Sequence, residues 1–238
     1  GIRRLEAVTG AIAIERLNVL EDSLNRIGST LKTPVETVEQ KLGQLLDKNK
    51  HLEKELQKFL VFLLLGLVAI AAAIKYTVGK KNYGYRALGD LAVFIFFGPL
   101  AICGTYYLQI QSIDWPVYFA AAAIGLLSVG VLNINNIRDI ENDKASNKTT
   151  IANLLGEHKA KIYHTILLSL AMTAFITLGM VLFDSLWKFI SLLALAPILH
   201  NSVAVLKTPI GPAFNLFLKQ LALSTFFMVA AFCIALLL

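Results

Sequence analysis

The sequence NINNIRDIENDKASNKTTIANLLG, at residues 133–156, is the longest polar run that has long apolar runs on both sides. Asp139 and Asp143 are four residues apart, so a helix through them places both carboxylates on one face, about one turn apart. Two adjacent carboxylates suit Mg²⁺, which binds one or two of them, keeps several waters and takes substrate phosphate oxygens. Remaining phosphate charge could be neutralised by three nearby cations, Arg138, Lys144 and Lys148. A solvated loop of mixed charge has the same pattern, so the rest of the sequence has to decide.

The composition divides the chain into two parts. Of the 238 residues 56% are hydrophobic and 16% charged, against about 25% charged in average globular chains, which indicates a membrane protein. Residues 1–58 nevertheless hold 10 of the 22 Lys and Arg and 9 of the 16 Asp and Glu, an ordinary soluble composition. We expect a soluble head at 1–58 and a membrane domain at 59–238. Cys103 and Cys233 lack any CxxC spacing, so they indicate neither a metal site nor a redox compartment.

Residues 33–59 predict a helix with a coiled-coil seam. Thr33, Pro34 and Glu36 have the spacing of an N-cap, a first helical residue and a capping glutamate. Apolar residues then recur at alternating steps of three and four, and Asn49 takes an a position, where it would fix the register of a parallel homodimer. A helix packed on its own domain explains so short a seam equally well.

The head also resembles part of a known family. GIRRLEAVTG at residues 1–10, followed by a helical stretch rich in Lys and Glu, resembles the boundary between the editing domain and the C-terminal oligomerisation region of bacterial alanyl-tRNA synthetases. The head contains one histidine, His51, and no cysteine, so the zinc ligands of the editing site are missing. The resemblance implies an inert oligomerisation segment, with no nucleic acid as its partner.

Six apolar runs predict an all-α, polytopic membrane helical bundle behind the head. The runs cover residues 59–74, 88–108, 115–134, 162–183, 186–206 and 214–238. Most have the roughly 20 residues that cross a bilayer. Cytoplasmic loops carry excess Lys and Arg, and 11 of the 12 such residues in 59–238 belong to one side of this arrangement. We therefore expect 75–86, 138–161 and 207–215 in the cytoplasm and 109–114 outside, although the lysines of the head favour the opposite orientation.

The loop before the second span, KYTVGKKNYGYRALGD at residues 75–90, adds further candidates. Asp90 begins an apolar run, where an acid is costly and by default a functional candidate. A helix N-cap beside the loop cations explains Asp90 equally well. Tyr83 and Tyr85 are also candidates, although tyrosines at a membrane surface are more often interfacial anchors.

Two motifs in order carry a family resemblance. YGYRALGD and VFIFFG, followed by NINNIRDIENDK and KTTIANLLG, resemble the intramembrane aromatic prenyltransferases, and within them the branch that prenylates dihydroxynaphthoate in menaquinone biosynthesis. The resemblance runs from about residue 59 to the C-terminus. It implies helices around a lipid-facing cavity in the bacterial inner membrane. It also implies that two Asp-rich loops hold Mg²⁺ and the diphosphate of a polyprenyl donor.

The resemblance also implies roles for individual residues. Asp139 and Asp143 match the second Asp-rich motif and would bind the metal. The implied catalytic residues are Asp139, Asp143, Arg138 and Lys148. The implied substrate-binding residues are Asn136, Tyr83, Tyr85, Asp90 and Lys144.

One departure concerns the first Asp-rich motif, which the resembled family carries between its second and third helices. Residues 1–58 contain no DxxD. We therefore expect a truncated or chimeric prenyltransferase that does not turn over as given. Absent helices could then have packed against small-residue positions at Gly66, Gly98, Gly104 and Gly125. Two alternatives remain: a non-enzymatic fusion of an oligomerisation segment to a membrane anchor, and a transporter, although no internal repeat is present.

Overall fold

The computed structural model describes residues 10–77 and 86–238, which are almost entirely helical. The α-helices are α1 (Ala11–Leu31), α2 (Val38–Thr77), α3 (Gly89–Ile95), α4 (Gly104–Ile110), α5 (Pro116–Arg138), α6 (Ile140–Ala145), α7 (Ile151–Leu182), α8 (Ala196–Lys207) and α9 (Ala213–Leu237). A π-helix, Phe96–Cys103, joins α3 to α4, and 3₁₀ segments at Val35–Thr37 and Leu186–Leu195 precede α2 and α8. The described residues form no strand, and the all-α prediction is confirmed.

Six helical stretches are long and apolar enough to cross a bilayer. They are Val35–Lys75, Gly89–Ile110, Pro116–Arg138, Ile151–Leu182, Leu186–Lys207 and Ala213–Leu237. Each falls on one of the six predicted runs, so the predicted polytopic membrane bundle is confirmed. The fourth stretch begins earlier than predicted, because the polar run after residue 138 folds into α6 and the start of α7 rather than one long loop.

The chain divides into two compact units, Gly1–Val68 and Ala69–Leu238. In the first unit, Lys32 ends α1 in the left-handed conformation (φ 52°, ψ 47°) and its N–H bonds back to the end of the helix. The predicted cap of the next helix is wrong. The Thr33 hydroxyl lies 2.8 Å from the Thr37 hydroxyl, and Pro34 is the residue that precedes the 3₁₀ turn.

Helix α2 runs without a break through residue 58, where the sequence predicts the boundary between head and membrane domain. The position of that boundary stays a prediction. The Asn49 amide donates to Glu53 of the same helix at 2.9 Å. A contact within one helix does not test the predicted dimer, so the seam also stays a prediction.

The second unit is built around α5 and α7. Gly130 lets the two helices approach closely, because a Cβ there would lie 2.7 Å from the Leu168 Cδ1 atom of α7. Helices α8 and α9 complete the core. Its fully buried side chains include Leu127, Ile134, Leu168, Ile198, Phe214, Leu221 and Met228.

The second span packs on α5 through two glycines. Pro99 lies inside the π-helix, where its missing N–H and its ring prevent a regular α-helical turn. A Cβ on Gly98 would lie 2.5 Å from the Ala121 carbonyl oxygen, and one on Gly125 would lie 2.8 Å from the Phe94 ring. The prediction that Gly98 and Gly125 face missing helices is therefore wrong, since they pack against each other's segments within this chain.

Candidate functional site

The helix breaks at the first of the two predicted metal-binding carboxylates. Asp139 (φ −100°, ψ 13°) separates the end of α5 from the start of α6, so the prediction of one regular helix through both carboxylates is wrong. The Asp143 N–H still donates to the Asp139 carbonyl at 2.8 Å. The one-turn spacing of the two residues is therefore kept across the break.

The Arg138 guanidinium forms a bidentate ion pair with the Asp139 carboxylate. Its Nε lies 2.8 Å from one carboxylate oxygen and its Nη2 2.7 Å from the other. These hydrogen bonds, then the charge of Arg138 and to the smallest extent that of Lys148, lower the pKa of Asp139 below its ordinary value. Asp139 is therefore a carboxylate at neutral pH.

The same guanidinium connects two helix ends. Arg138 donates from Nη2 to the Asn135 side chain at 2.8 Å and from Nη1 to the Asn215 side chain at 2.7 Å. Asn215 lies in the first turn of α9. The Arg138 side chain therefore links the end of α5 to the start of α9 by a hydrogen bond.

Asp143 is buried and paired with Lys148. The ammonium lies 3.1 Å from each carboxylate oxygen. The backbone imposes this pairing: Asn147 adopts the left-handed conformation (φ 55°) and the Lys148 N–H donates to the Asp143 carbonyl at 2.8 Å. The turn thus folds the lysine back over the carboxylate.

A capping box fixes the residues after this turn. The Asn153 N–H donates to the Thr150 hydroxyl at 3.2 Å, and the Thr150 N–H donates to the Asn153 side chain at 2.9 Å. The Asn153 amide also donates to the Lys148 carbonyl at 2.6 Å. Helix α7 therefore begins at Ile151, and the Asn153 side chain in its first turn binds the Lys148 backbone.

The segment before α3 lies against this turn. The Ala87 N–H donates to the Thr149 carbonyl at 2.8 Å. Asp90 follows in the first turn of α3, where it is buried and accepts a hydrogen bond from the Tyr163 hydroxyl of α7 at 3.1 Å. The N-cap interpretation of Asp90 is wrong, since Leu88 occupies that position.

The structure brings some of the predicted site residues together and leaves others apart. Four of them lie together where α5, α6 and α7 join, and we call this cluster the polar junction: Arg138, Asp139, Asp143 and Lys148. Lys144 instead pairs with Glu141 at 3.3 Å on the exposed side of α6. Two more predicted residues, Tyr83 and Tyr85, lie outside the described residues.

Sequence reasoning missed three contributors, Asn135, Tyr163 and Asn215. Asn135 stands inside the polar run, where its position one turn before Arg138 could have marked it. The contacts of Tyr163 and Asn215 join residues 73 and 77 positions apart. No periodicity or spacing in the sequence reports contacts of that range.

The atoms at the polar junction that could bind a metal ion are all oxygens. Asn136 is buried, and its side-chain oxygen has no hydrogen-bond partner among the described residues. Asn136 lies one turn before Asp139 in the sequence of α5. In the part of the chain described, no three His, Cys, Asp or Glu side chains cluster as a metal site. One or two carboxylates with waters and phosphate oxygens are what Mg²⁺ takes, so the donor set fits that ion.

Two adjoining apolar grooves lie beside the junction. One of about 380 Å³ reaches Asn135, and another of about 470 Å³ reaches Ala69 and Ala73. The two grooves share Val93, Phe97 and Leu132 as lining residues. They form an apolar path from the polar junction along the second span to the last part of α2.

Curated relatives are found in bacteria and in eukaryotes. The chain is 43% identical over 152 residues to a 1,4-dihydroxy-2-naphthoate octaprenyltransferase of Haemophilus influenzae, covering 64% of this chain and 49% of the relative. It is 44% identical over 157 residues to the protein of the same name in Escherichia coli, covering 66% and 51%. A UbiA prenyltransferase domain-containing protein 1 homolog of Drosophila melanogaster is 31% identical over 126 residues, covering 53% and 34%.

The chain spans about half the length of these two bacterial relatives. No solved structure matches it. A sequence model of the UbiA prenyltransferase family matches residues 56–211. That match leaves the resemblance of residues 1–58 to alanyl-tRNA synthetases a prediction. The match covers more than half of the chain and includes Arg138, Asp139, Asp143 and Lys148, and so this membrane protein belongs to the UbiA prenyltransferase family.

Proposed function

We propose that this chain is a prenyltransferase of menaquinone biosynthesis, which transfers a polyprenyl group from its diphosphate to dihydroxynaphthoate at the bacterial cytoplasmic membrane. The observation that carries the proposal is the polar junction, where two carboxylates and two cations meet beside an apolar groove. A polyprenyl diphosphate has the same division into a highly charged head and a long apolar chain. The bacterial relatives are named for the same chemistry.

The two cations of the junction would bind the diphosphate. The Arg138 fork matches two phosphate oxygens as well as it matches a carboxylate. Lys148 supplies a point charge from a rigid turn. Each cation now lies on a carboxylate, so a diphosphate would draw both cations toward itself and free carboxylate oxygens.

Asp139, Asp143 and the Asn136 side-chain oxygen would hold Mg²⁺. Bound there, Mg²⁺ would neutralise the diphosphate leaving group and the charge that develops as the allylic C–O bond breaks. The burial of Asp143 and Asn136 keeps these donors oriented before any ligand arrives.

The apolar groove would hold the polyprenyl chain. Val93, Phe97 and Leu132 line both of its parts, and none of these side chains offers a hydrogen bond to water. Such walls exclude water from the allylic carbon after the leaving group departs, so that the acceptor ring is the available nucleophile.

The experiment measures binding and transfer on the same preparation. The chain, reconstituted in vesicles, is given a radiolabelled polyprenyl diphosphate with and without Mg²⁺, and then dihydroxynaphthoate. We expect Mg²⁺-dependent retention of the diphosphate, its loss in Asp139→Asn and Asp143→Asn, and unchanged retention in the matched surface variant Glu141→Gln. Transfer releases diphosphate and the carboxyl group as CO₂ and gives the hydroquinone, which air oxidises to demethylmenaquinone during extraction. Demethylmenaquinone above the Asp139→Asn background therefore supports transfer, and it contradicts the expectation from the sequence that the chain does not turn over. Retention that is equal with and without Mg²⁺ would contradict the metal assignment.

We also propose that residues 33–59 associate with a second copy of the chain. The seam side chains Leu42, Leu45, Leu52 and Leu56 are all exposed along α2. An apolar stripe at heptad spacing on an exposed helix is the surface that a coiled coil buries. Cross-linking through a cysteine placed at Asn49, with Lys50→Cys on the neighbouring face as control, tests this pairing.

A further inference from the structure

Two fully buried polar side chains lie in the contact between α5 and α7, away from the polar junction. They are Asn133 and His164. The Asn133 amide donates to the Ala160 carbonyl at 3.1 Å, one turn before His164 on α7. On the facing helix, a Cβ at Gly130, one turn before Asn133, would lie 3.7 Å from the His164 Cε1 atom. The two side chains therefore occupy adjacent levels of one helix contact.

The surroundings of Asn201 determine which nitrogen of His164 carries hydrogen. The Asn201 amide nitrogen donates to the Phe217 carbonyl at 2.8 Å and lies 3.3 Å from the Gln220 side-chain oxygen. A carbonyl only accepts, so the orientation of this amide is fixed. The Asn201 oxygen then faces the His164 Nε2 at 3.3 Å. That nitrogen must donate, and in a neutral imidazole the other nitrogen, Nδ1, is left as an acceptor.

Two acceptors are thereby left without a donor. The His164 Nδ1 and the Asn133 Oδ1 have no hydrogen-bond partner among the described residues. They cannot satisfy each other, because each offers only a lone pair. Buried polar atoms in folded proteins are nearly always paired, with protein groups or with ordered water. A water molecule has two hydrogens to donate and is a common partner of such buried acceptors.

We propose that one buried water molecule binds between α5 and α7 and donates one hydrogen to the His164 Nδ1 and the other to the Asn133 Oδ1. The water joins α5 to α7 two turns before Asp139. It therefore supports the helix end on which the polar junction is built, and it does so without contacting the junction. This binding site is independent of the reaction proposed above.

The test is magic-angle-spinning NMR of ¹⁵N-histidine-labelled protein in lipid bilayers. The chain has 4 histidines, and the His164→Phe variant identifies the signals of His164 by their loss. We expect an unprotonated Nδ1, a protonated Nε2, and magnetisation transfer from water protons to Nδ1. In Asn133→Leu we expect that transfer to fall at least several-fold while the Nε2–H signal is kept. Asn142→Leu, at an exposed position of α6, is the matched control and should leave the transfer unchanged.

The unsubstituted protein alone can overturn the proposal, whether or not the variants fold. A protonated Nδ1 would mean that His164 itself donates to Asn133, with no water between them. An unprotonated Nδ1 that receives no magnetisation from water would mean that no water molecule is bound to the His164 Nδ1. Transfer that persists in full in Asn133→Leu would place the water elsewhere.

Discussion

At the scale of single residues, the junction pairs each carboxylate with its own cation. The sequence places Arg138 and Lys148 near the two aspartates, and it predicts the chemistry of the site correctly as charged and rich in oxygen donors. It does not indicate which cation binds which acid. That choice depends on the left-handed turn at Asn147 and on the helix break at Asp139, and neither alters the hydrophobic pattern.

The burial of the Asp143–Lys148 pair leads to a stability prediction. In Asp143→Asn the lysine loses its charged partner in a site where the carboxylate is almost inaccessible to water, so we expect a loss of about 2 kcal/mol in the free energy of unfolding. Glu141→Gln removes the exposed pair with Lys144 and should cost well under about 1 kcal/mol. Thermal unfolding in detergent compares the two variants, and equal midpoints would mean that burial does not matter here.

The Arg138–Asp139 pair leads to a prediction about pH. A depressed carboxyl pKa stabilises the fold above the unfolded pKa of about 3.9, and this stabilisation is lost as the pH falls through the folded pKa. The direction of the Asp139 shift follows from the Arg138 hydrogen bonds. The unsubstituted chain should therefore have a higher unfolding midpoint than Arg138→Gln at neutral pH, and this difference in midpoint should become smaller below about pH 4. A difference of constant size would show that Arg138 acts only by packing.

At the scale of helices, the sequence predicts where the spans lie better than where they bend. Long apolar runs specify the six spans because the membrane imposes both length and polarity. The break at Asp139 and the left-handed Gly156 inside α7 are changes of backbone angle, which hydropathy does not report. Gly98 and Gly125 were recognisable as packing positions, but only the folded chain shows that each faces the other's segment.

The two packed glycines have a matched control in the same span. Gly98→Ala would place a methyl group 2.5 Å from a backbone oxygen, so α5 has to shift, and we expect a loss of about 1–3 kcal/mol. At Gly104, no atom of the other described segments lies within 4 Å of the Cβ position. Gly104→Ala should therefore be neutral, or stabilising by up to about 1 kcal/mol through helix propensity. Unfolding midpoints of the two variants in one detergent decide the matter, and similar midpoints would contradict the close approach.

The seam in α2 can be tested on a peptide of residues 33–58. A helix of this length is marginal as a monomer, so we expect its helicity by circular dichroism to rise with concentration. Asn49→Leu should raise the stability of the assembly and loosen its preference for a dimer. Helicity that does not depend on concentration would leave only an amphipathic helix, with Asn49 bonded to Glu53 as in the single chain.

At the scale of the whole molecule, the distribution of cations predicts the orientation of the membrane domain. The polar junction lies on the side rich in Lys and Arg, which we expect to be cytoplasmic. In a background without Cys103 and Cys233, Ser146→Cys should react with a membrane-impermeant thiol reagent only after the cells are opened. Ser112→Cys, between α4 and α5, should react in intact cells. Labelling of Ser146→Cys from outside would reverse the orientation.

From the hydrogen bond between Arg138 and Asn215 we expect the completion of this site to be a late event in biosynthesis. The two residues lie 77 positions apart, so the ribosome delivers the carboxylates long before it delivers the amide that holds the guanidinium. Until α9 enters the membrane, the nascent chain has an unfinished junction. We expect a ribosome-bound chain stalled after Lys207 to retain no polyprenyl diphosphate with Mg²⁺, and the released chain to retain it. Retention by the stalled chain would show that the junction matures without its last helix.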